Sequence, residues 1–216
     1  GVALGGVGGV GRGQPYVDVT GGDVLGGEIG MADFGAFGRS GGRCMILCFD
    51  IGGSRIKAAV SRGGVVQPLG HAPTPLQDFA GFAAVLAGFQ RGLMSGGEAL
   101  RGVAISIAGV VDPASGRIKV ANIPGLDGRV VGQDLEAALG VPVLVLNDAD
   151  CFALAEARQG AGRGQRNVFG IILGTGVGGG LVIDGRLVSG PGGYAGEWGH
   201  GPVIRDPAFA CGCGQV

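Results

Sequence analysis

The sequence is most informative at Met45-Ile-Leu-Cys-Phe-Asp-Ile-Gly-Gly-Ser-Arg55. An apolar run typical of a buried strand leads there into two glycines, a hydroxyl and a cation. Adjacent glycines let a backbone approach a phosphate closely and direct its N–H groups at it. An ordinary hairpin turn explains the same residues equally well. If the turn binds a nucleotide, the contacts come from Asp50, Gly52, Gly53, Ser54 and Arg55, with Asp50 holding Mg²⁺ through water.

Downstream of this stretch, strand and helix patterns alternate. Apolar residues three and four positions apart indicate a helix over 77–93, and a β-branched run indicates a strand over 102–108. The alternation predicts an α/β protein. The full set of predicted strands is 45–50, 56–61, 64–67, 102–108, 142–146, 168–173 and 180–183, and the predicted helices are 77–93, 133–139 and 149–159.

Residues 1–44 have a different composition from the rest of the chain. Sixteen of these 44 residues are glycine, and no periodicity persists. Such a segment buries too little apolar surface to offset the entropy of ordering it, so we expect a disordered or non-native extension before a natural start at Met45.

Charge and hydropathy exclude some classes of partner. The 216 residues carry a net charge of −1, so no basic field favours nucleic acid. No apolar run reaches the ~18 residues of a membrane-spanning helix. The expected location is the cytoplasm.

A second glycine-rich segment, Gly174-Thr-Gly-Val-Gly-Gly-Gly180, follows another apolar strand. A structural turn needs one or two glycines, whereas this segment has five. A loop wrapped around an anionic ligand explains the excess better than chance in a glycine-rich chain. The candidate phosphate contacts are Gly174, Thr175, Gly176, Val177, Gly178, Gly179 and Gly180.

Asn147 and Asp148 lie between the predicted strand 142–146 and the helix 149–159. The carboxyl end of a strand is where α/β sheets place ligands, so Asp148 is a candidate base for phosphoryl transfer. Asn and Asp are also the residues that most often cap a helix, and for this motif taken alone capping is the commoner explanation.

Possible metal ligands lie near the end of the sequence. His200 precedes Cys211 and Cys213, whose close spacing suits one metal ion better than a disulfide. These three side chains are candidate Zn²⁺ ligands, and a tetrahedral site needs a fourth. Cys151 lies on the apolar face of its predicted helix and is expected to be a small core residue.

Taken together and in this order, the motifs resemble the ROK family of repressors, open reading frames and kinases. The resemblance runs from about Met45 to Val216. Single motifs are weak evidence, but the ordered set is highly specific. It consists of Asp50-Ile-Gly-Gly-Ser-Arg55, Asn122-Ile-Pro, Asn147-Asp-Ala, Gly174-Thr-Gly-Val-Gly-Gly-Gly180, Glu197-Trp-Gly-His200 and Cys211-Gly-Cys-Gly214.

The resemblance implies an actin-like, ribonuclease-H-like fold of two α/β domains with ATP and sugar between them. It implies a first domain over 45–163 and the start of an incomplete second domain over 164–216. It also implies ATP, Mg²⁺, a structural Zn²⁺ ion and a homodimer of the full-length protein. Asp148 then becomes the catalytic base, and the sugar contacts are Gly109, Asn122, Asn147, Asp148, Glu197 and His200.

Within the family, the motifs are most similar to those of bacterial N-acetylglucosamine kinases, which implies 6-phosphorylation of that sugar. N-acetylmannosamine, glucose and fructose are the alternative substrates. A sugar-sensing ROK repressor is a rival from another class, although residues 1–44 lack the periodicity of its helix-turn-helix. An inactive fragment is a third possibility, because the chain is expected to be truncated at its carboxyl end.

Two residues depart from the family pattern. Ser54 and Arg55 stand where the family has threonine and lysine, which keeps a hydroxyl and a positive charge. Arginine and lysine differ in shape at a tight phosphate site, so this exchange bears on ATP affinity.

Overall fold

A computed structural model describes residues 45–63, 65–94, 98–173 and 177–199. The predicted extension over 1–44 lies outside these residues. The described chain alternates strands with three helices, α1 Phe79–Met94, α2 Val131–Leu139 and α3 Asp148–Arg158. The strands are β1 Met45–Ile51, β2 Arg55–Arg62, β3 Val65–Pro73, β4 Leu100–Ile107, β5 Val110–Val111, β6 Ile118–Lys119, β7 Val143–Asn147, β8 Asn167–Leu173, β9 Val177–Ile183 and β10 Arg186–Val188.

Five strands form the main sheet, in the order β3-β2-β1-β4-β7. The first three are antiparallel neighbours, whereas β1, β4 and β7 run parallel. Ile51, Ile107 and Asn147 are aligned across the three parallel strands. The carboxyl ends of these strands therefore meet at one edge of the sheet, which is where the candidate site is found.

One face of the main sheet carries the principal core. Leu47, Phe49 and Ile51 alternate inward along β1 and pack with Phe82 and Leu86 of α1. All five side chains are essentially inaccessible to water. Each contributes roughly 1.5–3 kcal/mol relative to an exposed position. This face also packs against α2, which ends where Gly140 takes a left-handed φ of 70°.

The opposite face of the sheet carries smaller side chains. Cys48 of β1 and Ala104 of β4 are buried there, and a hydrogen bond between Ser106 and Cys151 joins α3 to β4. The helix α3 also packs against β8 and β9 of the second sheet, whose strand order is β10-β9-β8. The two sheets therefore share α3.

The predicted α/β class is confirmed, and so are the three helices and most of the strands. The predicted strand 64–67 belongs to a longer β3, and the sequence patterns missed the short strands β5, β6 and β10. Among the described residues, no helix is long and apolar enough to cross a membrane.

Candidate active site

The site begins at Asn147, which ends β7 and caps α3. Its Oδ1 accepts hydrogen bonds from the N–H groups of Ala149 and Asp150, at 2.7 and 3.2 Å. Its Nδ2 donates to the carbonyl oxygen of Gly109 at 3.1 Å and lies 3.5 Å from Glu197 Oε1. The side chain is 7% exposed. Asn147 therefore ties together the α3 N-terminus, the end of β4 and the segment after β10, and it brings three predicted sugar-binding residues into contact.

Asp148 is the first residue of α3, directly after the capping residue. The capping interpretation of the motif is thus correct for Asn147. Asp148 Oδ1 also accepts from the N–H of Ala149, at 2.9 Å. Burial raises the pKa of Asp148, with a smaller contribution from the negative charge of Asp50. A carboxylate with a raised pKa is a stronger base, which suits the role predicted for this residue.

Asp150 was not predicted from the sequence. It is only 7% exposed, and burial followed by the charges of Glu197 and Asp148 raises its pKa from 3.8 to about 7. Asp148, Asp150 and Glu197 are called the carboxylate cluster below. An acidic residue in the first turn of a helix normally indicates interaction with the helix dipole, so no sequence signal distinguishes Asp150.

A tight turn over 52–54, called the glycine turn below, joins β1 to β2. The N–H of Gly52 donates to the carbonyl oxygen of Arg55 at 3.0 Å. Thr74, directly after β3, holds the turn, because its Oγ1 donates to Gly52 O at 2.8 Å and its N–H donates to Ser54 O at 3.2 Å. The predicted turn is therefore present, and Thr74 is a supporting residue that the motifs did not reveal.

Two predicted motifs meet at Gly53. A Cβ on Gly53 would lie 3.0 Å from the Cβ of Asn122, so Gly53 packs directly on a predicted sugar-binding residue. Gly52 differs from it, because a Cβ there would meet nothing nearer than the carbonyl oxygen of Arg55, at 3.8 Å. The side chains of Ser54, Arg55 and Asn122 are all exposed.

Asp50, the predicted Mg²⁺ residue, forms an ion pair. The Nζ of Lys57 lies 2.8 Å from Asp50 Oδ2. The two residues face each other directly across β1 and β2. Lys57 is therefore a cation at the glycine turn that the motif comparison did not single out.

Two glycines of the second glycine-rich segment are packed closely against backbone atoms. Gly178, Gly179 and Gly180 lie within β9, whereas the sequence predicted that this strand begins at Gly180. A Cβ on Gly179 would lie 2.7 Å from Gly196 O, and one on Gly180 would lie 2.6 Å from Ala149 O. Close packing is therefore a reason for glycine at these two positions that is independent of a ligand, and their predicted phosphate contacts stay a prediction.

Gly178 lies beside the carboxylate cluster. Its carbonyl oxygen accepts a hydrogen bond from Trp198 Nε1 at 3.2 Å, and a Cβ there would lie 3.7 Å from Glu197 Oε2. Val177 begins β9. Gly174, Thr175 and Gly176 lie outside the described residues.

The structure does not test the predicted zinc site, because His200, Cys211 and Cys213 all lie outside the described residues. Within the described part of the chain, no three His, Cys, Asp or Glu side chains could together hold a metal ion. The carboxylate cluster is therefore not a preformed metal site.

The described cysteines are not nucleophiles. Cys151 is buried, as predicted, and burial raises its pKa to about 12. Burial likewise raises the pKa of Cys48 to about 11. Both thiols are therefore protonated at neutral pH.

A protein-family model described as the ROK family matches residues 46–216. The chain belongs to the ROK family. N-acetylgalactosamine kinase AgaK of Shewanella sp. strain ANA-3 is 42% identical to it over 180 residues, covering 79% of this chain and 58% of that protein. N-acetyl-D-glucosamine kinase of Photobacterium profundum is 37% identical over 181 residues, covering 78% of this chain and 59% of that protein.

Solved structures of ROK proteins have the same fold. A ROK family glucokinase from Streptomyces griseus, in complex with glucose and AMPPNP, matches with a TM-score of 0.67 and 34% identity. The match covers 79% of this chain and 54% of the glucokinase. The predicted family and its actin-like α/β fold are thus confirmed. The chain spans about three fifths of the length of the curated relatives it matches.

Proposed function

We propose that the protein carrying this chain is an ATP-dependent sugar kinase that phosphorylates the 6-hydroxyl of N-acetylglucosamine. The observation that carries the proposal is the convergence of polar groups at the carboxyl ends of β4 and β7. Asn147 contacts Gly109 and Glu197 there, directly beside Asp148. A buried amide in contact with a carboxylate, next to a half-buried aspartate, is suited to orienting a sugar hydroxyl beside a base.

The residues of the glycine turn fit a nucleotide phosphate with Mg²⁺. Protein atoms do not fill the space beside Gly52, since the nearest atom to a Cβ there is 3.8 Å away. Asp50 offers a carboxylate of the kind that Mg²⁺ prefers, and Arg55 offers a cation. When bound, MgATP supplies the phosphoryl group that is transferred. Its proposed contacts are Asp50, Gly52, Gly53, Ser54 and Arg55 on one side and Gly174, Thr175, Gly176, Val177, Gly178, Gly179 and Gly180 on the other.

Asp148 is the proposed catalytic base, and accepts the proton of the attacking hydroxyl. Phosphoryl transfer has a loose transition state, so the main contribution of the protein is to position the reactants. Gly109, Asn122, Asn147, Glu197 and His200 are the proposed sugar contacts. A pKa of Asp148 raised by burial brings the base closer to the working pH and makes it a better proton acceptor.

The proposed substrate class is an N-acetylhexosamine. The curated relatives described above are named for N-acetylgalactosamine and N-acetylglucosamine. N-acetylmannosamine, glucose and fructose follow as alternatives. The proposal also includes two α/β domains divided near residue 163, a structural Zn²⁺ held by His200, Cys211 and Cys213, a cytoplasmic homodimer, and no binding to nucleic acid or membrane.

The test is ADP release by the full-length protein, with ATP, Mg²⁺ and each of the five sugars in parallel. We expect sugar-dependent release with the highest kcat/KM for N-acetylglucosamine. Asp148→Asn should lower kcat by about 10²–10⁴, the usual contribution of a general base, and leave sugar binding nearly unchanged.

The control is Asp134→Asn, which changes an aspartate in the first turn of α2. It should keep full activity. Retained turnover in Asp148→Asn would reassign Asp148 to a structural role. Absence of release with every sugar would instead favour a sugar-sensing repressor.

A further inference from the structure

We propose that Lys57 binds a phosphate oxygen of the nucleotide. In the free protein, the Asp50 carboxylate takes the place of that oxygen as the partner of Lys57. The inference rests on the proposed function, because it assigns a further residue to the same site. No motif includes Lys57, which lies two residues beyond Arg55 in β2.

Strand pairing places Lys57 in a row of polar residues. It faces Asp50 on β1 and His71 on β3, and Asp50 in turn faces Ser106 on β4. Directly paired residues project from the same face of a sheet. This is the face on which Ser106 contacts Cys151 of α3, and from which the charge of Asp50 affects Asp148. Lys57 therefore lies on the same side of the sheet as the proposed base.

Arg55 strengthens the cationic character of this face. Residues two apart in a strand point the same way, so Arg55 and Lys57 project together beside the glycine turn. Arginine presents a flat, forked donor group, whereas lysine presents a compact charge that fits a single phosphate oxygen. The two cations are thus complementary, and Lys57 supplies the ammonium group that Arg55 does not.

The ion pair is suited to exchange. The Lys57 side chain is 57% exposed and that of Asp50 is 27% exposed. Such exposed pairs contribute little to stability, because water screens them and ordering the side chains costs entropy. A phosphate oxygen can therefore replace the Asp50 carboxylate as the acceptor of Lys57 at small cost.

The chain offers a matched control on the same strand. Arg62, at the far end of β2, forms an ion pair of 2.7 Å with Glu98, and the two side chains are 37% and 34% exposed. Arg62 faces Met45 at the amino end of β1, whereas Lys57 faces Asp50 near the carboxyl end. Replacing either residue by methionine removes one charge from β2, but only one of them lies at the proposed site.

The experiment measures dissociation constants for MgATP and for adenosine by calorimetry, in the full-length wild type, Lys57→Met, Lys57→Arg and Arg62→Met. We expect Lys57→Met to weaken MgATP binding by about 10-fold or more, the effect of losing one charge-assisted hydrogen bond. Adenosine binding should not change in any variant. Lys57→Arg keeps the charge but not the compact shape, so it should recover part of the affinity, and Arg62→Met should equal the wild type.

Three outcomes would overturn the inference: MgATP binding by Lys57→Met equal to that by Arg62→Met, an equal loss of adenosine binding, or no MgATP binding by the wild type. ADP release by the wild type is measured separately and reports on the kinase proposal. A wild type that releases ADP with sugar, alongside an unaffected Lys57→Met, would refute the role of Lys57 and leave the kinase proposal standing.

Discussion

The glycine turn and the carboxylate cluster lie at the same edge of the fold but have opposite properties. The turn is exposed and bordered by Arg55 and by the Asp50–Lys57 pair, and the space beside Gly52 is not filled by protein atoms. The carboxylate cluster is more enclosed, because Asp150 is only 7% exposed and Asp148 and Glu197 are half-buried.

The difference indicates a division of roles. An exposed, cationic turn can admit a polyanion without a large desolvation cost, because its charges remain partly hydrated. A partly buried cluster of acids suits a neutral, hydroxyl-rich ligand, since burial raises the pKa of Asp148 and Asp150 and makes both carboxylates more basic. The comparison predicts that changes in the cluster alter stability, whereas changes in the turn alter ligand binding and leave the fold intact.

The largest expected effect on stability is at Asp150. Because burial raises its pKa from 3.8 to about 7, the folded protein holds a proton there that the unfolded chain releases. The free energy of unfolding of the wild type should therefore fall by at most about 4 kcal/mol as the pH rises from about 4 to about 7. Above pH 7 it should stay constant.

Asp150→Asn removes this ionisation, so its stability relative to the wild type should increase over the same pH range. Urea unfolding of both proteins at pH 4.5, 6 and 8 checks the prediction, with Asp134→Asn as the control. A stability difference that is constant with pH would show that Asp150 titrates normally and that the cluster is not enclosed.

The next effect is at Gly180. A Cβ there would lie 2.6 Å from the carbonyl oxygen of Ala149 and 2.8 Å from the Cβ of Ala153, so Gly180→Ala should destabilise the fold by about 1–3 kcal/mol. Gly178→Ala is the matched control on the same strand, because its nearest neighbours are 3.7 Å away. Thermal unfolding distinguishes them, and equal melting temperatures would contradict the close packing of β9 on α3.

The smallest effect on stability is at Gly52. Its φ is not left-handed, and a Cβ would meet nothing within 3.8 Å, so Gly52→Ala should change the free energy of unfolding by less than about 0.5 kcal/mol. The methyl group would nevertheless stand in the space assigned to phosphate, so the KM for ATP should rise while the KM for sugar does not. An unchanged KM for ATP would place the nucleotide elsewhere.

The main elements were predictable because each carries its own local pattern of apolar residues. The apolar stripe of α1 and the apolar run of β1 are properties of 16 and 7 consecutive residues. β5, β6 and β10 have two or three residues each, too few to show a period. The length of β3 was missed because Pro68, Gly70 and Pro73 are disfavoured in strands, although an edge strand tolerates proline.

The same distinction between local pattern and tertiary structure applies to the residues of the candidate site. Asn147, Asp148 and the glycine turn were found because each belongs to a short motif at the end of a strand. Thr74, Asp150 and Lys57 were missed because their roles depend on neighbours distant in sequence or on burial, which local patterns do not encode.

The sequence by itself determined the α/β class, the ROK family and the motifs that supply the proposed base and phosphate contacts. These follow from periodicity and from residues adjacent along the chain. Only the tertiary structure decided that Asn147 caps α3 while holding Gly109 and Glu197, that Asp150 is buried, and that two glycines of the second segment serve packing. The physical reason is that desolvation, charge repulsion and close contact depend on distances in space, and these are set only when β1, β4, β7 and α3 pack together.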